Sequence, residues 1–202
     1  MSGLPSDDRP AVGLRERKKA KTRAAIQLHA LRLFRERGYH ATTVEQIAEA
    51  ADISPSTFFR YFPTKEAVVL TDDYDPVLLA AFHAQPAELT PLQAVRGAMT
   101  SVLAGLPADE LAATRERTQL VMAVPELRAG TLQNMTETTR LLAVAVAERV
   151  GRDPDDVAVR TFTGALLGVW TTVLFRWVED PGMDLLASLD EAMALLEAGL
   201  PL

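Results

Sequence analysis

Apolar residues recur at helical spacing along almost the whole chain. From about residue 16 to residue 37 they return every three or four positions and define one face, formed by Ile26, Ala30, Leu33 and Phe34. No stretch shows the sustained alternation of apolar and polar residues, bounded by turns, that a half-buried strand has. The pattern therefore predicts an all-α protein.

Helix-ending residues divide the first third of the chain into one long helix and two short ones. Gly38 follows the long helix and suits the left-handed conformation that closes a helix. Thr42 or Thr43 can cap the second helix, since an acidic or amide residue stands three positions after each, as in a capping box. Ser54 followed by Pro55 is typical of the N-cap and first residue of a third helix.

Prolines and capping residues then separate a series of further helices. Pro63 ends the third helix, and later helices are predicted at about 65–85, 91–106, 108–123, 125–150, 154–179 and 184–198. The helix at 154–179 is apolar nearly all round in its middle, so protein must cover several of its sides. We expect a disordered tail (1–14), a three-helix domain (15–63) and a larger helical domain (64–202).

Charge is distributed unevenly along the 202 residues. The net charge is −6, yet residues 9–65 carry twelve Lys and Arg against five Asp and Glu, whereas residues 66–202 carry nine against twenty. A basic head on an acidic body suggests that the head binds a polyanion. The alternative is a basic helix surface that is merely solvated.

The two short helices have the spacing of a helix-turn-helix. They are separated by a turn at residues 51–53, and in this motif the second helix enters the major groove of DNA. Its apolar face, with Phe58 and Phe62 and with Pro55 and Phe59 beside them, is expected to be buried. The opposite face is polar and is expected to meet the bases: Ser56, Thr57 and Arg60, with Tyr61 on the flank.

The segment GYHATTVEQIAEAADISPSTFFRYFPTKEAVV closely resembles the DNA-binding domain of the TetR family of bacterial regulators, and the likeness covers about residues 17–70. Two positions depart from the family pattern. Asp52 stands where glycine is usual, and aspartate tolerates a left-handed φ. Phe59 stands where tyrosine is usual and lacks the hydroxyl for a phosphate contact, part of which Tyr61 could supply.

The resemblance implies a sequence-specific regulator that binds a palindromic operator as a homodimer, with half-sites roughly 34 to 36 Å apart. Repressors released by a small-molecule effector are the common case, although the residues fit activation equally well. The residues expected to contact DNA are Lys21, Arg23, Thr43, Ser54, Pro55, Ser56, Thr57, Arg60, Tyr61 and Lys65. For each basic residue, a solvated surface position is the alternative.

The resemblance also implies that the last two helices of each subunit form a four-helix bundle with those of its partner. The residues expected at this dimer interface are Gly164, Gly168, Trp177, Leu185, Leu189 and Met193. The two glycines have a small-xxx-small spacing that allows close approach of helices. That spacing fits packing within one subunit as well as packing between two.

A ligand cavity enclosed by the middle helices is a further implication of the resemblance. Its expected lining is Phe82, Arg96, Met99, Arg117, Met122, Met135, Phe162 and Trp170. Methionine suits adaptable apolar pockets, but these residues fit an ordinary core too, and the arginines fit surface salt bridges. We expect an apolar ligand of moderate size, with or without an anionic end, whose binding is transmitted to the head by the helix at 65–85.

Other classes of protein find little support. The chain has no glycine-rich phosphate loop, no recognisable Ser/His/Asp order and no metal-ligand spacing, so neither an enzyme nor a cofactor is expected. It has no cysteine, no signal-like start, and an apolar run at 161–175 shorter than a membrane span, which favours the cytoplasm. A membrane-surface module is the remaining alternative, supported by the basic first helix alone.

Overall fold

A computed structural model describes residues 14–71 and 74–201, and within these ranges every regular element is a helix. The helices are α1 (Leu14–Arg37), α2 (Val44–Ala50), α3 (Pro55–Tyr61), α4 (Lys65–Leu70), α5 (Tyr74–His83), α6 (Pro91–Ala104), α7 (Ala108–Ala123), α8 (Pro125–Val150), α9 (Val157–Glu179) and α10 (Leu185–Glu197). The all-α prediction is confirmed. The predicted tail lies outside the described residues except for Leu14, where α1 begins.

Local capping explains where the first helices begin and end. Gly38 adopts the predicted left-handed conformation, with φ of +86°. Thr43 is the N-cap of α2 and forms a complete capping box with Gln46, since each side chain bonds the other residue's backbone amide. Thr42 is buried instead and donates its hydroxyl hydrogen to the carbonyl of Gly38 at 2.9 Å. Thr43 is therefore the cap, and Thr42 fastens α2 to the end of α1.

The described residues divide into two compact units along the chain, between Val68 and Val69. In the first unit, the apolar face of α1 packs with α2 and α3 around a buried core: Ile26, Ala30, Leu33, Phe34, Ile47, Ala48, Phe58 and Phe62. Burial of side chains of this size stabilises a fold by about 1.5 to 3 kcal/mol each before the entropy cost is counted. This small core fixes the position of α3.

The prediction of a single helix at 65–85 is wrong. The structure has two helices there, α4 ending at Leu70 and α5 beginning at Tyr74. Pro76 explains the break, because proline lacks an N–H and its ring clashes with the carbonyl four residues earlier, so it is tolerated only in a first turn. Pro76 is the third residue of α5. The first unit ends within α4, after Val68.

In the second unit, α5 packs on α6, α8 on α9, and α9 on α10. Two arginines fasten the ends of these helices. Arg115 donates to the carbonyls of Trp177 (2.7 Å) and Asp180 (3.2 Å) at the end of α9, with its guanidinium 4.3 Å from the Trp177 ring. Arg149 donates to carbonyls of the loop between α5 and α6, including that of Leu89 at 3.2 Å. Such charge-assisted bonds satisfy carbonyls that lack a helical partner.

α9 is unusually apolar for the burial it receives. By length and composition α9 could cross a membrane, whereas the sequence-based prediction considered only the shorter apolar run at 161–175. Core helices of soluble proteins can have the same length and hydropathy. Within the subunit, 22% of its most apolar 18-residue window is buried. One face of α9 is thus left open and apolar.

Candidate DNA-binding surface and ligand cavity

The helix-turn-helix is formed by α2, a tight turn and α3. Asp52 adopts φ of +54° in the turn, as the sequence predicted. The amide of Ile53 donates to the carbonyl of Ala48 at 3.0 Å and closes the turn. Ser54 then caps α3, and its Oγ accepts a hydrogen bond from the amide of Thr57 at 3.1 Å. The turn and cap together set the direction in which α3 leaves α2.

Asp52→Gly is expected to stabilise the first unit. A non-glycine residue pays a steric cost at positive φ, which glycine does not, while glycine costs more chain entropy. The net gain should be small, about 0.5 kcal/mol in the free energy of unfolding. Urea denaturation measures it. Asp109→Gly, at an exposed position in the first turn of α7, is the control and should lower stability. A destabilised Asp52→Gly protein would show that Asp52 makes a contact that outweighs the strain.

The predicted orientation of α3 is confirmed for its main residues. Phe58 and Phe62 are fully buried, whereas Ser56 and Arg60 are exposed. Phe59 was placed beside the buried face, which is wrong, because 51% of its surface is exposed. Pro55 is exposed as well. A short helix on a small core buries a narrow stripe, so the outward surface of α3 includes an aromatic ring that can contact a thymine methyl.

The start of α3 presents a cluster of hydroxyl groups. Ser54 Oγ lies 2.9 Å from Ser56 Oγ and 2.9 Å from Thr57 Oγ1. Hydroxyls can both donate and accept, so the cluster can contact phosphate oxygens or base edges. At the other end of α3, the Arg60 guanidinium lies 5.6 Å from the centroid of the Tyr61 ring. Stacking uses the face of the guanidinium, so the N–H groups in its plane can still donate hydrogen bonds to DNA.

The residues predicted on the flanks of α3 have different environments. Lys21 on α1 and Thr43 at the start of α2 are exposed. Arg23 is half-buried, and its guanidinium lies 4.9 Å from the centroid of the Phe62 ring. That stacking joins α1 to the end of α3 and limits how far the guanidinium can reach. Lys21 is therefore better placed than Arg23 for a phosphate.

Lys65 was predicted to bind phosphate, and the structure shows contacts of its ammonium within the first unit. The ammonium donates to the carbonyls of Tyr39 (2.9 Å) and Thr42 (3.1 Å) and lies 4.1 Å from the Tyr39 ring. These bonds hold the loop between α1 and α2 to the start of α4, which limits the reach of Lys65. Tyr39 also donates to Glu66 at 2.9 Å. Burial acts to raise the pKa of Glu66, but hydrogen bonds from its own amide and from Tyr39 hold that pKa below its usual value.

The second unit contains a cavity of about 300 Å³, lined by residues from α4 to α10. One end is polar, where Tyr74 Oη donates to Glu110 Oε2 (3.2 Å) and Thr138 Oγ1 donates to Asp75 Oδ2 (2.9 Å). The other end is apolar and includes Phe82, in the last turn of α5. Asp75 and Phe82 are about 10 Å apart along α5, from a rise of 1.5 Å per residue. The cavity is therefore elongated and amphipathic.

The predicted ligand residues are divided between the cavity and its surroundings. Those that line the cavity are Phe82, Met99, Arg117, Met135 and Trp170. Met122 and Phe162 pack on the outside of the core cluster instead. Arg96 is also misplaced by the prediction, because it is bonded to Asp190 (2.5 Å) and lies 3.6 Å from Glu197, both on α10. An ion-paired arginine at a helix–helix contact is not aimed into the cavity.

Sequence reasoning missed most of the polar lining. Threonines recur on the inner faces of two helices, with Thr114 and Thr118 four apart on α7 and Thr131 and Thr138 seven apart on α8. Residues at these spacings share one face of a helix. The repeated spacing was visible in the sequence and could have indicated a polar stripe facing inward.

Comparison with known proteins identifies the chain's relatives. Residues 28–71 match the model of the bacterial regulatory proteins of the tetR family, and residues 89–201 match the MftR C-terminal domain. The transcriptional regulator TcmR of Streptomyces glaucescens is 43% identical over 151 residues, which cover 71% of this chain and 67% of TcmR. The chain belongs to the TetR family. This TetR-family chain is thus a helix-turn-helix transcriptional regulator that binds DNA.

Two further proteins resemble this TetR-family chain along most of its length. The putative mycofactocin biosynthesis transcriptional regulator MftR of Mycobacterium tuberculosis is 27% identical over 187 residues, covering 91% of this chain and 93% of MftR. The structure of Thermus thermophilus FadR, a TetR-family transcriptional repressor in complex with lauroyl-CoA, aligns with a TM-score of 0.53 and 28% identity. That alignment covers 89% of this chain and 95% of FadR.

The residues predicted at a dimer interface also fall into two groups. Gly164 and Gly168 are exposed on α9, and a Cβ added to either would meet no described atom within 4 Å. The other four are buried within the subunit, where they belong to its hydrophobic core: Trp177, Leu185, Leu189 and Met193. Their positions on α9 and α10 face α6 and α7, as the Arg115 contact with Trp177 illustrates. The prediction is wrong for these four.

Proposed function

We propose that this protein is a cytoplasmic, homodimeric repressor that leaves its operator when an apolar small molecule enters the cavity of the second unit. Residues 15–63 act as the DNA-binding domain, and residues 64–202 act as the ligand-binding and dimerisation domain. The observation that carries the proposal is the coexistence of an exposed polar face on α3 with an elongated cavity in the second unit.

DNA reading is assigned to the outward face of α3. Arg60 is exposed and can donate two hydrogen bonds to O6 and N7 of a guanine. The hydroxyls of Ser54, Ser56 and Thr57 lie at the start of the helix, where base edges and phosphates come within reach in this motif. Lys21 adds a phosphate contact from α1. Lys65 holds the loop between α1 and α2 to the start of α4 and leaves the reading of bases to α3.

Dimerisation is assigned to the open face of α9. Small side chains follow this face at helical spacing, from Thr161 through Gly164 and Gly168 to Thr172, and all four residues are exposed. Small residues let two helices approach closely, and an apolar face left uncovered in the subunit gains from burial against a second copy. The low burial of the apolar window of α9 supports this assignment. A symmetric pair presents two copies of α3 to a palindrome.

Ligand release is assigned to α4, the short helix that begins at Lys65 in the first unit. Val69 and Leu70 in its last turn line the cavity. Asn134 of α8 donates to the carbonyl of Leu70 at 2.7 Å, and Gly130 is so close to Leu70 that an added Cβ would lie 2.5 Å from Leu70 Cδ1. A ligand that displaces Leu70 must therefore move the end of α4. It releases DNA if it binds more tightly to the displaced state.

Filling the cavity with a side chain should imitate the ligand. Leu142→Trp replaces an aliphatic side chain of the cavity lining with the larger indole ring. We expect it to lower operator affinity by about five-fold or more, which is the lower limit of common allosteric couplings. Fluorescence anisotropy with a labelled operator duplex at fixed salt measures the change. The operator is obtained by selection from a random pool of duplex DNA.

The matched control is Leu132→Trp, which adds the same ring to the same helix at a position that is 69% exposed. Its operator affinity should equal that of the unmodified protein. Circular dichroism establishes that both variants remain helical. Unchanged operator affinity in a folded Leu142→Trp protein would show that the cavity is not coupled to DNA binding.

A further inference from the structure

The hydroxyl groups along the cavity are already committed as donors. Six lining threonines donate their hydroxyl hydrogen within the protein: Thr114, Thr118, Thr131, Thr138, Thr139 and Thr163. Five of these bonds run to the carbonyl four residues earlier on the same helix, at 2.7 to 3.1 Å. A hydroxyl oxygen has two lone pairs in addition to its hydrogen. What these threonines can still offer a ligand is an acceptor.

The side chains at the polar end of the cavity also present hydrogen-bond acceptors. Tyr74 donates its phenol hydrogen to Glu110, and burial together with the Glu110 carboxylate raises the pKa of Tyr74, so this hydrogen is not offered to a ligand. Asn134 uses one of its two amide hydrogens on the carbonyl of Leu70, and its side-chain carbonyl oxygen is an acceptor. The carboxylate of Asp75 accepts from Thr138 and has further lone pairs. Apart from Arg117 and the second amide hydrogen of Asn134, the side chains that meet a ligand head here present acceptors.

The charges around this end do not favour an anion. Arg117 lines the cavity, but Asp75 lies on the same lining and Glu110 is bonded to Tyr74 beside it. Two other arginines of the second unit are engaged elsewhere, Arg96 with Asp190 and the exposed Arg140 with Glu137. Two carboxylates near one guanidinium repel a ligand carboxylate, and transfer of an anion from water needs full compensation.

We propose that the cavity selects an uncharged, largely apolar ligand whose polar groups are hydrogen-bond donors, namely alcohol or phenol hydroxyls. This inference rests on the proposed function, since it names the ligand class of the same cavity. The apolar end at Phe82 and Trp170 takes the carbon skeleton, and the threonine oxygens with Asp75 accept from the hydroxyls. A buried acceptor that lacks a hydrogen-bond partner raises the free energy of the complex. A ligand with the same carbon skeleton but no hydroxyl group is therefore bound less tightly.

The test compares three molecules with one carbon skeleton and different heads. The purified full chain is titrated with 1-naphthol, 1-methoxynaphthalene and 1-naphthoate by isothermal titration calorimetry. The naphthol should bind about five-fold or more tightly than its methyl ether, which is the size of one net hydrogen bond. The naphthoate should bind more weakly than the naphthol. Equal or tighter binding of the ether or of the naphthoate overturns the inference and leaves the proposed ligand release intact.

Substitution of the acceptors gives a second arm. Thr118→Val and Thr139→Val remove one oxygen each at nearly constant shape, and each should bring the affinity for 1-naphthol closer to that for the ether without changing the latter. An unchanged ratio in both variants contradicts the assignment of the acceptors. Failure of all three molecules to bind overturns the inference. If Leu142→Trp also leaves operator affinity unchanged, the proposed release of DNA by a ligand is contradicted as well.

Discussion

Gly168→Leu is expected to abolish operator binding, the largest effect predicted for a single substitution in this protein. Leucine at position 168 meets no described atom of its own subunit within 4 Å at the Cβ, and it replaces glycine inside a helix with a better helix former. The subunit fold should therefore survive. A branched side chain at the centre of a close helix–helix contact keeps the two copies of α9 apart.

Loss of the dimer removes the simultaneous binding of two half-sites. The second half-site is bound at high effective concentration in a dimer, so its loss costs about a hundred-fold or more in operator affinity. Sedimentation velocity should show a monomer of about half the original mass, and circular dichroism should show unchanged helicity. The control is Ala112→Leu, at an exposed position on α7, which should remain dimeric and bind DNA. A Gly168→Leu protein that remains dimeric would disprove the assignment of the α9 face.

Arg60→Ala should relax the choice of base at one position of each half-site. Arg60 is exposed on α3, and one good bidentate contact to guanine is worth about 1 to 3 kcal/mol of discrimination. Loss of one such contact should lower affinity for the preferred sequence by about 5- to 150-fold. Affinity for duplexes altered at that base should change much less. Anisotropy titrations of all four bases at that position measure the difference.

Lys21→Ala is the matched control for charge alone. Lys21 is exposed on α1, so its loss should weaken all duplexes alike and reduce the dependence of binding on salt by about one unit of slope. Lys65→Ala is a poor control, because the Lys65 ammonium holds the carbonyls of Tyr39 and Thr42 and its loss would loosen the domain itself. If Arg60→Ala retains the original base preference, the proposed reading face of α3 is wrong.

The helices could be predicted from the sequence wherever a local signal marks their ends. Thr90 with Pro91 opens α6, Pro125 opens α8, and Gly151 closes α8 with φ of +65°. Such signals act over a few residues and need no tertiary information. The break between α4 and α5 depends on Pro76, whereas the sequence predicted one helix at 65–85.

The functional surfaces were harder to predict, because burial on one face of a helix depends on what packs there. Leu189 and Met193 have the spacing of an interface stripe, but the core of the subunit covers them. Phe59 has the chemistry of a core residue but lies outside the narrow buried stripe of α3. Arg96 faces a carboxylate that comes from 94 positions later in the chain. Periodicity finds the faces of a helix, and only tertiary packing decides which face is covered.

Selection from random duplex DNA is the most direct test of whether this protein reads a specific palindrome. The purified full chain is incubated with the random pool at about 0.15 M salt, where sequence-independent binding is weak, and the bound fraction is sequenced over several rounds. A homodimeric regulator should enrich an inverted repeat whose half-sites are centred about one helical turn, roughly 10 base pairs, apart. A pool that remains random, or that converges on a single asymmetric site, would contradict this expectation.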